Sequence, residues 1–288
     1  RDLKPPERRA LINRVAHRVT YEIDRSTIVT SAALVASALM SNEGRGMTHE
    51  ELFDRCAALL AALQRQGARI ARAVLRDDMQ LVPPPDREAR HEVARELLRG
   101  ASIEEALALF RDAKIVETTD IDGDHVHTVP DNRRAALEYY KNAVLNFFVP
   151  GALISTVLAL RTEPVEEDEL RESVANLSRL FKFEFMYRAD ATFDEIFDDA
   201  LATMLDAGEV ERDEGGLCAT EGSLVPVYAG MVRTYFEAYR LAASSLGQLR
   251  ASGKVKRKDW LKQTLVRGNK LFLSGKLQLR ESVSKPKL

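Results

Sequence analysis

The sequence is short of the residues that mark several common protein classes. Two cysteines, Cys56 and Cys218, are too few for a disulfide scaffold or a cysteine zinc site, and each reads as a small apolar residue. A reducing compartment is therefore the expected setting. Charge of one sign is also missing: 42 Lys+Arg against 44 Asp+Glu leaves a formal net of -2, so no whole-molecule field selects nucleic acid or anionic lipid. No P-loop, no Gly-x-Gly-x-x-Gly after a strand, no Gly-x-Ser-x-Gly elbow and no His-Glu-x-x-His is present, and no cofactor is expected. There is no basic segment followed by an apolar run and a cleavage site near Arg1, so no signal peptide is read. An opening without Met leads us to expect a piece of a longer polypeptide.

Long apolar runs are scarce too. Residues 26–42 carry no charge but are rich in Ala, Ser and Thr, which is too polar and too short for a membrane span. Residues 143–160 are also uncharged, and Pro150-Gly151 near their middle predicts a kinked or broken helix buried in a core.

What is there is 288 residues, 45% of them apolar, enough for one large or two ordinary domains. Leu11, Ile12, Val15, Val19 and Ile23 recur at helical spacing behind Pro5-Pro6, predicting an amphipathic helix over Pro5–Asp24 with a buried face. Asn42–Gly46 breaks the chain. Thr48 and Glu51 then form a capping box for a helix running to about Gln64. Further helices are expected over Ala68–Arg76 and Asp86–Leu98, on either side of a rigid Pro83–Pro85 connector. A helix through Leu107 and Phe110 leads to strands at Lys114–Thr118 and His125–Val129 around Asp122-Gly123-Asp124, followed by a long helix from Ala135 to about Phe148.

That order recurs. A helix at Phe193–Leu205, strands at Glu209–Arg212 and Leu217–Thr220 around Gly215-Gly216, and a helix from Leu224 to about Ser245 repeat the plan, with Asp112-Ala113 aligning on Asp206-Ala207. The expected fold is mainly α and multi-helical, with two small β-hairpins in a tandem winged-helix-like repeat. The expected divisions are 1–160 with the first helix-hairpin-helix unit, 161–250 with the second, and 251–288 as a basic C-terminal segment.

The balanced total hides uneven placement. Residues 161–214 hold 17 acidic and 6 basic side chains, whereas residues 251–288 hold 11 basic and 2 acidic. Lys256, Arg257, Lys258 and Lys262 lie around Trp260, so this stretch is the candidate contact for an anionic membrane surface or for another domain. Trp260 with Leu261, Leu265, Leu271 and Phe272 at helical spacing reads as packing more than as lipid contact. Winged-helix units that read DNA present a basic helix, yet here the second unit's helix carries Asp194, Glu195, Asp198 and Asp199. Nucleic acid is an unfavoured partner.

His49 and Asp54 have the His-x4-Asp spacing of glycerolipid acyltransferases, in which the His deprotonates a hydroxyl and the Asp orients the imidazole. On a continuous helix that starts at Thr48, five residues turn the two side chains away from each other, so a catalytic pair is not expected. An independent hydrolase or transferase built on them is the weakest reading. Glu43-Gly44-Arg45 is read as a turn. His125 and His127 share a strand face, but no third His or Cys is local and no metal site is expected.

Several stretches in order resemble the C-terminal region of the membrane-associated glycerol-3-phosphate acyltransferases. They are RRALINRVAHRVTYEIDRSTIVTSAALVASALMS (Arg8 to Ser41), MTHEELFDRCAALLAALQRQG (Met47 to Gly67), YYKNAVLNFFVPGALIS (Tyr139 to Ser155), NLSRLFKFEFMY (Asn176 to Tyr187) and GNKLFLSGKLQLRESVSKPK (Gly268 to Lys287). The resemblance spans nearly the whole chain. It implies that acyl transfer from acyl-CoA or acyl carrier protein to the 1-hydroxyl of sn-glycerol 3-phosphate, a step of phospholipid synthesis, belongs to a domain lying before Arg1. This chain would then be a noncatalytic partner of that domain, at the cytoplasmic face of a membrane, with no catalytic residue of its own.

Overall fold

The computed structural model describes residues 4–42, 46–76, 87–188, 190–250 and 256–287. The expected turn at 43–45, the Pro83–Pro85 connector and Lys254-Val255 lie outside them. Pro5 and Pro6 preset the first turn of α1 (Pro5–Arg25). A two-residue strand β1 (Ile28–Val29) leads into α2 (Ser31–Met40), which Thr30 caps by accepting from the Ala33 N–H at 3.2 Å. Every residue of α2 from Ala33 to Met40 is buried, as a small-residue helix apolar on all sides must be. Strand β2 (Gly46–Thr48) and α3 (His49–Arg65) follow, the latter opened by the expected capping box: Thr48 N–H donates to Glu51 Oε2 at 2.8 Å and Glu51 N–H to Thr48 Oγ1 at 3.2 Å.

The helix expected over Ala68–Arg76 is absent. Gly67 ends α3 at φ +69°, and residues 69–70 instead form β3 (Arg69–Ile70), parallel to β1, before a single 3-10 turn at Arg72–Val74. The Ala71 N–H donates to Val29 O at 2.9 Å, so the backbone is satisfied by a distant strand and not by its own helix. After α4 (Arg87–Leu97) and α5 (Gly100–Asp112) come β4 (Glu117–Ile121) and β5 (Asp124–Thr128). Asp122 and Gly123 both have positive φ, the backbone a two-residue hairpin requires.

The long helix expected from Ala135 to Phe148 is two helices. α6 (Arg134–Asn142) and α7 (Leu145–Leu158) meet at a 101° bend at Ala143-Val144, while Pro150, the expected kink, sits inside α7. α6 directs Glu138 and Lys141 into a buried ionic cluster, whereas α7 is apolar on all sides and lies among the helices α8 (Glu167–Leu180), α9 (Phe193–Asp206) and α10 (Val225–Arg250). One straight rod cannot bury both. No single helix among the described residues is long and apolar enough to cross a membrane.

The second hairpin is β6 (Val210–Asp213) and β7 (Gly216–Ala219), and α11 (Arg257–Leu273) packs back on α10. The fold is mainly helical with small sheets. In both units one helix leads directly into the hairpin and another follows it, although β3, a 3-10 turn and α4 stand between α3 and α5 in the first. In the first, α2 precedes β2, α3 and α5 precede the hairpin, and the sheet order is β2-β5-β4. In the second, α7 precedes Val165, α8 and α9 precede the hairpin, and Val165 exchanges both backbone hydrogen bonds with Leu217 of β7, at 2.9 and 2.8 Å. A side chain at Gly216 (φ +132°) would meet Val165 O at 2.4 Å, so that bridge requires the glycine.

The buried face expected of α1 does not exist. None of its residues is buried, and Leu11, Ile12, Val15, Val19 and Ile23 are all exposed. The half-buried positions are His17, Tyr21 and Asp24, so α1 meets the body with its polar side, where Asn146 Nδ2 donates to Asp24 O at 3.1 Å.

Candidate functional site

His49 is the first residue of α3, and its ring is turned across to the hairpin. Its Nδ1 lies 3.2 Å from His127 Nε2, its Nε2 lies 3.3 Å from Glu104 Oε1 on α5, and His127 Nδ1 lies 2.9 Å from Thr118 Oγ1. One assignment satisfies all three contacts: Thr118 O–H donates to His127, His127 Nε2–H to His49, and His49 Nε2–H to Glu104. Burial, then the His49 ring beside it, lowers the His127 pKa to about 4, so His127 is neutral at pH 7. Asp54 takes a different partner altogether, Arg95 Nε at 3.0 Å, and does not join His49. A general base needs a free lone pair aimed at the reacting hydroxyl. Here both His49 nitrogens are occupied, and the network ties α3 and α5 to the sheet.

His125 and His127 lie on one face of β5 but in different surroundings. β2 and the start of α3 cover His127, while His125 is beyond the end of β2, exposed, with Nδ1 3.6 Å from Asp120 Oδ2. Among the described residues no three His, Cys, Asp or Glu are grouped to hold a metal ion.

The basic stretch forms α11, with Lys256 at its N-cap. Lys256, Arg257, Lys258 and Lys262 are exposed, and among the described residues none of them pairs with a carboxylate. Trp260 is half-buried and stands one and two helical turns from the buried Thr264 and Gly268, so it lies on the packed side. A Cβ at Gly268 would fall 2.6 Å from Leu241 Cδ2 of α10 and 2.6 Å from Val283 Cγ1, so the absence of a side chain permits the close seat. The apolar side of α11 is thus used on α10, and these four cations point away, while Arg267 donates to Ser244 O of α10 at 3.4 Å.

No local pattern signals what holds the closing segment. Arg134, Glu138 and Lys141, spaced along one face of α6, meet residues from the far end of the chain. Arg134 Nε donates to both oxygens of Glu281 at 2.9 and 3.0 Å, and Lys287 donates to Glu138, which also accepts from Thr234 Oγ1 at 2.9 Å. Lys141 is fully buried and donates to Met231 O at 2.7 Å. Burial brings the Lys141 pKa down to about 8 against the pull of Glu138. Burial alone would raise the Glu138 carboxyl, but Lys141 and Lys287 outweigh it and hold the pKa below its ordinary value. On α10, Glu237 accepts from the Gln278 and Leu279 N–H groups and from Ser282 Oγ, clasping the same segment.

Another buried carboxylate, Glu209, accepts from Arg65 at 3.0 Å, from the Leu224 N–H at 2.9 Å and from Tyr228 O–H at 3.1 Å, tying α3 to the loop before α10. Each of these clusters satisfies its own charges, which is the behaviour of groups that position helices.

The model of one protein family, described as glycerol-3-phosphate acyltransferase C-terminal region, matches residues 1–83 and 85–288. A glycerol-3-phosphate acyltransferase of Shewanella amazonensis (strain ATCC BAA-1098 / SB2B) is 25% identical over 182 residues, a stretch that covers 63% of this chain and 19% of that protein. The chain thus matches about a fifth of that relative's length. The family match runs through both hairpin units, α11 and the clasped closing segment alike, and on that coverage the chain belongs to the family of glycerol-3-phosphate acyltransferase C-terminal regions.

Proposed function

We propose that this chain is the noncatalytic C-terminal region of a glycerol-3-phosphate 1-O-acyltransferase and serves it by packing on its acyltransferase domain. In that protein the acyltransferase domain takes glycerol 3-phosphate and an acyl-CoA or acyl carrier protein, and the product feeds phospholipid synthesis. The observation that carries the reading is the family match across the chain, set beside a His49 whose two nitrogens are both engaged and an Asp54 held by Arg95. The outward cations of α11 support peripheral association with an anionic membrane at its cytoplasmic face, through Lys256, Arg257, Lys258 and Lys262 and without insertion of Trp260.

The 288-residue chain alone, given glycerol 3-phosphate and acyl-CoA, is expected to show no acyl transfer, and His49→Ala in the longer protein is expected to keep it. Turnover by the isolated chain, or loss of turnover in a well-folded His49→Ala protein, sinks the noncatalytic assignment.

A second reading is favoured by the shared plan of the two hairpin units: a tandem winged-helix-like module for protein contact. The acidic α9 argues against duplex binding. Asp194 and Asp198 are exposed and, among the described residues, pair with Arg171 alone, leaving the helix that would enter a groove with negative charge.

A further inference from the structure

Helix α1 is seated with its faces reversed for a surface helix. At about 100° per residue its half-buried positions, His17, Tyr21 and Asp24, point about 140–180° away from the centre of the stripe formed by Leu11, Ile12, Val15, Val19 and Ile23. The polar side is the one that touches the body, where Asn146 Nδ2 donates to Asp24 O at 3.1 Å and Arg18 pairs with Asp190 at 3.3 Å. The aliphatic side is left outward, with each of its five side chains 43–62% exposed. A continuous apolar stripe of this kind marks a contact surface.

The charge beside the stripe selects its occupant. Lys4, Arg8, Arg9, Arg14, Arg18 and Arg25 stand against Glu7, Glu22 and the half-buried Asp24, so the helix carries a positive excess. Arg14, Arg18 and Arg25 lie on one flank and Arg9 on the other, each about 80–120° from the centre of the stripe. From there a guanidinium on its long stem reaches the headgroups when the helix lies in the plane of a bilayer. Arg8 continues the line of the stripe into the first turn, at the helix end, where its stem turns back to the same level. The exposed acids are already answered: Glu7 accepts from the Lys4 N–H at 2.9 Å, and Glu22 pairs with Arg18 at 3.4 Å and with Arg25 at 3.9 Å. Arg8, Arg9 and Arg14 pair with no carboxylate among the described residues. The stripe is aliphatic throughout, while Tyr21, the kind of aromatic anchor that protein interfaces favour, faces the body. We propose that α1 lies in the plane of an anionic membrane surface, with its aliphatic stripe among the upper acyl chains and Arg8, Arg9 and Arg14 on the headgroup phosphates. The proposal rests on the membrane association read from α11 under Proposed function and adds the element that inserts. Cations alone bind a bilayer weakly and reversibly, and an apolar insertion is the second signal that holds a protein there.

The test follows binding of the 288-residue chain, and of the longer polypeptide, to phosphatidylcholine vesicles with and without phosphatidylglycerol. An environment-sensitive fluorophore on Val19→Cys is read in a Cys218→Ser background, since Cys56 is buried. With phosphatidylglycerol present its emission should shift to the blue and be quenched by nitroxide-labelled lipid. The same label on Asn13→Cys, exposed but off the stripe, should do neither. Val15→Asp with Val19→Asp, and separately Arg8→Gln with Arg9→Gln and Arg14→Gln, should each weaken binding to the anionic vesicles at least about tenfold without loss of fold. Changing Lys256, Arg257, Lys258 and Lys262 to Gln should weaken binding too, yet leave the label at 19 inserted in the molecules that stay bound. A label at 19 that remains in water on bound protein, or a double aspartate variant that binds as tightly as the parent, overturns this inference alone. Equal binding and equal shift on pure phosphatidylcholine overturn the anionic surface. Protection of residue 19 from a maleimide in the longer polypeptide without vesicles assigns the stripe to a protein partner, and a vesicle-free shift that grows with chain concentration assigns it to a second copy; either overturns the proposal. If no form of the protein binds anionic vesicles, the membrane reading under Proposed function falls with it.

Discussion

Helices α1 and α11 stand near opposite ends of the chain, and both are amphipathic in sequence. α11 lays Trp260, Thr264 and Gly268 toward the body and sends Lys258 and Lys262 outward. α1 does the opposite, placing His17, Tyr21 and Asp24 inward and Val15 and Val19 outward. Helical spacing tells which residues share a face; it does not tell which face meets this chain's own core. For α11 the apolar side is covered by α10. For α1 it is left exposed among the described residues, and the contrast separates a helix whose apolar side completes this fold from one whose apolar side does not.

The contrast can be broken most forcefully at the clasp behind α11. Glu138→Ala leaves Lys141 and Lys287 buried without their carboxylate, and loss of one partner from a buried ionic cluster costs about 3–5 kcal/mol, read by denaturant unfolding. An unchanged midpoint would show that the closing segment is not held by this cluster. At the α11 seat, Gly268→Val forces carbon atoms onto Leu241 and Val283, and overpacking of this kind costs about 1–3 kcal/mol in the same measurement. Val283 is stiff and cannot swing clear. At the other end, Val15→Asp combined with Val19→Asp touches no buried side chain among the described residues, so the 288-residue protein should keep its stability within about 0.5 kcal/mol. A large loss there would mean that the stripe is already covered by the chain itself.

Local signals were legible where the physics is local. The Thr48/Glu51 capping box, the Asp122-Gly123 hairpin turn and the repeated helix-hairpin order could each be read from a few neighbouring residues, because caps and turns are satisfied within one turn of chain. The separation of His49 from Asp54 followed from helix geometry in the same way. The Ala68–Arg76 segment misled because its apolar spacing suits a helix, while its backbone is claimed by β1, some forty positions earlier in the chain. Pro150 misled in the opposite direction: the chain bends at Ala143-Val144, where an amphipathic helix gives way to one that is apolar all round.

The contacts that organise the rest were out of reach of any local reading. His49 meets His127 across 78 positions, Arg134 meets Glu281 across 147, and Glu138 meets Lys287 across 149. Nothing in the spacing of Arg134, Glu138 and Lys141 distinguishes an inward ionic face from a solvated one.

By itself the sequence determined the helical class, the hairpins and their repetition, and an ordered series of stretches that resemble one family, since these depend on propensity, capping and pattern along the chain. Tertiary structure alone decided that His49 is locked between His127 and Glu104, that the cations of α11 face outward, and that α1 shows its apolar side to the exterior. The reason is that burial is a property of what else arrives at a surface, and a residue's neighbours in space are chosen by the whole fold.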